Sequence, residues 1–342
     1  MSRFAIQDLR CPVIAAPMAA GPSTPKLAAA VTNAGGLGFL AGGLVSAQTL
    51  ADSLSEARQL TSGPIGINLF VPQPVNNNIA EIKSYAAAMA TEAERYGVVL
   101  GEPRYSDDDW AAKLDVVYAM KPDLVSFTFG LPGADLLARI RAAGITSAVT
   151  VTSLDEAQRA SASDVDALIV QGPQAGGHSA TFDPVAPPPN QPLEDLLAAV
   201  TRLCDVPAIA AGGLATAPDL DRVVRAGAIA GQFGTAFLLA DEAGTSPVHR
   251  AALTDARFTQ TAVTRAFTGR YARALRNRFI DEHDAQAVAG FPNVAFLTGP
   301  VLAAAARSGD PQGTSLWAGT AFRQACAEPA AEIVASLASL TA

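Results

Sequence analysis

Cysteine, histidine and basic charge are all scarce in this chain, and each scarcity excludes something. Only three cysteines occur in 342 residues, at Cys11, Cys204 and Cys326. Their number is odd and their spacing wide, so neither a disulfide framework nor a CxxC metal site can be built from them. They read as reduced thiols that pack as small hydrophobes. Lys and Arg total 24 against 32 Asp and Glu, for a formal charge of −8. A nucleic-acid surface needs a basic face, and no run of that kind occurs before Arg265 to Arg278. Long hydrophobic runs are lacking as well. The apolar stretch from Leu27 to Val45 is interrupted by Thr32, Asn33 and several glycines, and charged Met1 to Arg10 precedes no cleavable apolar core. There is no Walker loop, no GxGxxG opening a helix after a first strand, and no HExxH or Cys/His metal spacing. No Ser or Cys stands at a nucleophile elbow. The expectation is a cytoplasmic protein with small-molecule partners and no metal, nucleic acid or membrane.

What is present is apolar and rhythmic. Hydrophobic residues make up 49% of the chain, enough at this length to bury a large core. Short β-rich runs at 13–16, 38–40, 65–69, 124–128, 145–151, 167–170, 208–210 and 228–232 alternate with Ala/Leu-rich amphipathic stretches. Helices are expected at 25–32, 47–59, 79–96, 134–142, 154–160, 193–203 and 218–225. This alternation is the pattern of a parallel sheet with crossover helices, and the strand count suits a (β/α)8 TIM barrel. An open doubly wound sheet is the rival, but special residues fall at the C-terminal ends of many strands rather than at one switch point. After the eighth strand the rhythm stops. Residues 241–313 read as a small inserted α+β lobe on the substrate side, with 1–240 and 314–342 forming the barrel. The five prolines between Pro184 and Pro192 make a stiff loop after the sixth strand.

Three constellations carry chemistry. Strand 208–210 runs into Gly212-Gly213, and the next strand into Gln232-Phe233-Gly234-Thr235. Loops after strands seven and eight form the recurring phosphate site of barrels, where glycine lets backbone N–H groups approach the anion. Second, Gln171 ends a buried strand, and Gly176-Gly177 then presents His178, one of three histidines. It is placed to donate a hydrogen bond or take a proton, whereas His249 and His283 lie in helical contexts that suit structural roles. Third, Asn68 interrupts the apolar run 65–70 and offers an amide to the heteroatom edge of a flavin, while Pro17-Met18 ends the first strand similarly. Arg270, Arg273 and Arg276 recur every third residue, which on a helix would make one basic strip, either a solvated surface or, through Arg270 or Arg273, a hold on an anionic substrate.

Together these segments resemble the nitronate monooxygenase family, in its bacterial class I branch. The residues Pro12-Val-Ile-Ala-Ala-Pro-Met-Ala-Ala-Gly21 with Ala34-Gly-Gly-Leu-Gly38, then 67–72, 125–132 and 171–178, are similar to its four ordered motifs. Thr268-Gly-Arg-Tyr-Ala-Arg273 and Trp317-Ala-Gly319 extend the likeness. Gln174 departs from the usual Glu, Ala180 from a common Gly, and Gly43-Leu44 from a motif that often ends in Tyr. The resemblance implies FMN held at Asn68, Gln171, Gly176, Gly213 and Gln232 to Thr235, with His178 catalytic. It further implies oxidation of a small anionic nitronate, notably propionate 3-nitronate, by O2 to a carbonyl compound and nitrite. Within enzymes the alternative is an NAD(P)H-dependent flavin reductase of the enoyl-thioester type, which shares the Ala-Gly-Gly-His motif. Outside them, it is a flavin-binding barrel without turnover.

Overall fold

The computed structural model describes residues 3–75 and 78–340. In chain order its strands are β1 (Val13–Ala15), β2 (Gly38–Ala41), β3 (Ile65–Phe70), β4 (Leu124–Thr128), β5 (Thr146–Val151), β6 (Ala167–Gln171), β7 (Gly177–His178), β8 (Ala208–Ala211), β9 (Ala230–Phe233), β10 (Thr261–Thr264) and β11 (Ala272–Leu275). Eight of them form one parallel sheet in the order β1-β9-β8-β6-β5-β4-β3-β2. The sheet closes through a bridge between Ile14 and Leu37 at the start of β2, making the (β/α)8 barrel expected from the alternation.

The strands are buried on both faces, as parallel strands covered by helices must be. Ile14, Phe39, Ile169 and Ile209 fill the interior, and Gly66 leaves the room that the Phe39 ring occupies. Between barrel and helices lies a larger core containing Leu27, Ile67, Val149, Leu197 and Leu220. Helix starts follow the capping chemistry of the sequence. Thr24, Ser46 and Ser153 each accept a hydrogen bond from the backbone N–H three residues on, and Thr216 closes a capping box with Asp219. The helix Ala330–Ala338 packs back onto β1 and the helix Pro25–Asn33.

The structure differs from the sequence reading in three places. The expected helix 79–96 is two, Ile79–Ala88 and Ala90–Tyr96, and a further helix spans Trp110–Met120. Arg273 lies on β11, with Arg270 and Arg276 in the loops flanking it, so the three arginines form no helical strip. Most consequentially, the His loop is itself a strand. β7 pairs antiparallel with β11, which pairs with β10, so that His178 faces Ala272. Residues 241–313 also share a core with earlier chain: Tyr85 and Met89 pack against Phe267, Phe279 and Leu297. Among the described residues, no helix is long and apolar enough to cross a membrane.

Candidate active site

A cavity of about 520 Å3 opens at the C-terminal ends of the barrel strands. It gathers nearly every residue singled out above: Pro17, Met18, Asn68, Gln171, Gly176, Gly177, His178, Gly212, Gly213, Gln232, Gly234 and Thr235 all line it. Phe233 does not. Its ring is fully buried in the core between barrel and helices, and its carbonyl accepts from the Ala16 N–H.

The glycine loops are built for close backbone approach. Gly212 and Gly213 have φ of +100° and +75°, and a Cβ on Gly212 would stand 2.9 Å from the Gly172 carbonyl oxygen. A Cβ on Gly176 would come within 2.5 Å of the Gly319 nitrogen. Thr235 Oγ1 accepts from the Gly319 N–H at 2.9 Å, which leaves its own proton for a ligand. The segment after Trp317 thereby ties the Thr235 loop to the His loop, where the Thr320 N–H donates to the Gln174 carbonyl. On the other side, Asn68 Nδ2 donates to Ser126 Oγ and Thr128 Oγ1, both at 2.9 Å, which fixes the amide. Gln171 fixes the His loop from below, accepting from the Ala180 N–H at 2.8 Å and donating to the His178 carbonyl. The Gln232 side-chain oxygen, by contrast, is buried at the cavity wall without a hydrogen-bond partner. A buried acceptor of that kind calls for a donor. Glycine-walled space beside fixed amides and an orphaned acceptor leaves room for a phosphate ester that carries a planar, N–H-bearing ring.

His178 sits in an aromatic box. Its ring lies 5.7 Å from Phe129, 5.5 Å from Phe291 and 5.4 Å from Trp317. Its Nε2 is 2.8 Å from Thr268 Oγ1, which in turn is 3.2 Å from the Arg270 carbonyl. Enclosure by these rings, and secondarily the charge of Arg270, push the imidazole down to about 3, so it is neutral at ordinary pH. The hydroxyl of Thr268 carries one proton. Given to Nε2, it makes Nδ1 the N–H donor; given to the Arg270 carbonyl, it draws the imidazole proton to Nε2 and leaves Nδ1 a free base.

Phe129, Phe291, Trp317 and Thr268 were not identified as functional residues from sequence. Phe129 has a φ of 77°, unusual for a bulky side chain, and its ring carries the Arg270 guanidinium at 3.9 Å. Arg270 is itself 1% exposed. Its donors go to Gln73 Oε1 at 2.9 Å, the Ser179 carbonyl at 3.2 Å and the Thr181 carbonyl, so it braces the His loop from behind and does not line the cavity. Arg273 is spent on the Pro173 carbonyl and Thr261, and Arg276 on Asp281. Replacing Arg270 by Met should therefore cost about 2–4 kcal/mol of stability through stranded carbonyls. Its effect on turnover should be the same for carboxylate-bearing and simple nitronates. Urea melts and paired KM values check this; a KM rise confined to the carboxylate substrate would return Arg270 to a substrate-binding role.

His283 is buried beside Glu92, in keeping with a structural role. His249 is buried too, yet it lines the cavity from the helix Pro247–Thr254, a position its helical context did not reveal. Burial pushes it down to about 4, partly opposed by a hydrogen bond to the Trp317 backbone. In the unfolded chain an imidazole titrates near 6.5. Below that pH the unfolded state takes up a proton that the folded state refuses until about 4, so stability falls as pH falls through this window. The loss attributable to His249 should reach about 2–3 kcal/mol by pH 4.5. At matched flavin content, His249→Gln should flatten the dependence of urea midpoint on pH; an unchanged slope would remove His249 as its source.

The profile for nitronate monooxygenase matches residues 4–339. The chain belongs to the nitronate monooxygenase family. It is 38% identical to a nitronate monooxygenase of Paraburkholderia phytofirmans, covering 95% of this chain and 91% of that protein. A probable nitronate monooxygenase of Staphylococcus aureus is 35% identical, with coverage of 96% and 94%. Among solved structures, a nitroalkane oxidase from Streptomyces ansochromogenes superposes with a TM-score of 0.93 at 43% identity, over 97% of this chain and 96% of that one. FabK from Thermotoga maritima, at 24% identity and a TM-score of 0.75, shares the fold. As a nitronate monooxygenase family member the chain is an oxidoreductase, and the family is flavin-dependent.

Proposed function

We propose that this protein binds FMN in the barrel mouth and oxidises alkyl nitronates with O2 to a carbonyl compound and nitrite, with His178 as the catalytic residue. The observation that carries the reading is the meeting of the glycine loops and His178 on one cavity, within a chain of this family. Gly213, Gly234 and Thr235 would hold the phosphate through backbone N–H groups and the threonine hydroxyl. Gln232, Asn68, Gln171 and Gly176 would face the ring system, with the chain at Pro17-Met18 behind it. Bound FMN would supply the electron-accepting ring and its reoxidation by O2. The protein's own part is to bind the nitronate beside His178, direct a hydrogen bond from Nδ1 at its developing charge, and keep water out with Phe129, Phe291 and Trp317. Residues 241–313 would form the substrate-side lobe, since they supply Thr268, Phe291 and the helix Asn293–Arg307 that roofs the cavity. The three free cysteines suit the reducing cytoplasm, where we place the reaction.

The test mixes the yellow protein with a short alkyl nitronate in air and follows O2 consumption and nitrite. Stoichiometric nitrite is expected. NADPH oxidation with an enoyl thioester, without nitrite from nitronates, would instead make it a reductase.

A further inference from the structure

Among the described residues, none that lines the cavity is a lysine, arginine, aspartate or glutamate. Over the barrel mouth the helix Asn293–Arg307 contributes Leu302, Ala303 and Ala306, and Leu44 contributes a further apolar side chain at the rim. The polar groups that accompany them, Ser246, Thr314 and Ser315, are uncharged. The Arg270 guanidinium lies behind Phe129, with its donors committed to Gln73, Ser179 and Thr181, and Arg273 is committed to Pro173 and Thr261. Both cavity histidines are held neutral by burial. The same cavity has glycine loops that would take a phosphate and offers it no cation, so any further anion would find no charged side chain on the wall to pair with. A nitronate brings one negative charge, and a hydrogen bond from His178 can serve it. A carboxylate at the other end of the molecule would lose its hydration and gain no ion pair.

We propose that this site selects nitronates with an uncharged, apolar tail and discriminates against those carrying a second anion. The inference rests on the nitronate reading above and narrows its substrate class to alkyl nitronates without a carboxylate, which sets propionate 3-nitronate outside the preferred set.

Propyl-1-nitronate and propionate 3-nitronate place the nitronate on chains of the same length and differ by the carboxylate, so they isolate its effect. With the flavin-loaded protein, kcat/KM should be on the order of 100-fold lower for the carboxylate-bearing substrate, chiefly through KM, the scale set by an unpaired charge in a desolvated site. Raising the salt concentration should leave most of the gap, because a buried charge is weakly screened. Ala303→Lys should narrow the gap by improving KM for propionate 3-nitronate alone. Equal kcat/KM for the two substrates in the unaltered protein would overturn the selectivity while leaving the nitronate reading standing. Failure to oxidise either one would bring down the nitronate reading, and the selectivity with it.

Discussion

Gly234→Asp is expected to purify colourless, whereas Gly234→Ala should keep its flavin. The contrast follows from the space at this residue. Its φ of −103° is open to any L-residue, and the atoms nearest a Cβ would be Ala16 Cβ at 3.5 Å and Met18 Sδ at 3.8 Å, ordinary contacts. Alanine should therefore fold and bind. Aspartate adds the same Cβ and then a carboxylate beside the position where the phosphate is to sit. Two like unit charges about 4 Å apart at a protein surface repel by about 4 kcal/mol, which weakens Kd about 1000-fold. Absorbance near 450 nm per mole of protein reads the result, and an unchanged urea midpoint for the apoprotein shows that the fold is intact. A yellow Gly234→Asp protein with a full flavin complement would place the phosphate elsewhere. The neighbouring glycines could not make this test cleanly, since Gly213 has a positive φ and a Cβ on Gly176 strikes backbone.

The barrel was legible because its strands are short buried runs ended by glycine, proline or a polar residue. Asn68, Gln171 and Gln232 stand out at strand ends where an unbonded amide would be costly, and each proves to be either bonded within the site or orphaned at its wall. The small second sheet was less legible for a physical reason. It joins β7, which follows the sixth barrel strand, to β10 and β11 far along the chain, and a two-residue strand has no periodicity to detect. The three-residue spacing of Arg270, Arg273 and Arg276 mimicked a helix face, although in an extended chain the spacing has no such meaning. The helix Trp110–Met120 escaped because its apolar residues surround it rather than forming a stripe. The aromatic box was hidden for another reason: Phe129, Phe291 and Trp317 come from distant segments, and only the tertiary fold brings them around His178.

His178→Asn should retain FMN and measurable nitronate turnover while losing any nitroalkane turnover, and His178→Ala should lose about 100- to 1000-fold on nitronate as well. A nitronate is already deprotonated, so it needs a donor at its developing charge, and one such hydrogen bond is worth about 2.7–4 kcal/mol. A nitroalkane still holds its proton, so its oxidation needs a base. The imidazole can present either a donor or an acceptor, depending on where Thr268 sends its hydroxyl proton, since Nε2 lies 2.8 Å from that oxygen. The burial that lowers its pKa makes it the better donor and a weak base, so any nitroalkane turnover should be slow. Asparagine keeps a donor but offers no base; alanine offers neither. Thr268→Val separates the positioning role from the chemical one. It removes the partner of Nε2 without touching the ring, so both substrates should slow moderately, with the nitronate to nitroalkane ratio shifted from that of the wild type. Flavin absorbance is measured first for every variant, because lost cofactor imitates lost chemistry. If His178→Ala keeps its flavin and oxidises nitronate at the wild-type rate, the residue is structural, and the aromatic box around it serves the fold rather than the reaction.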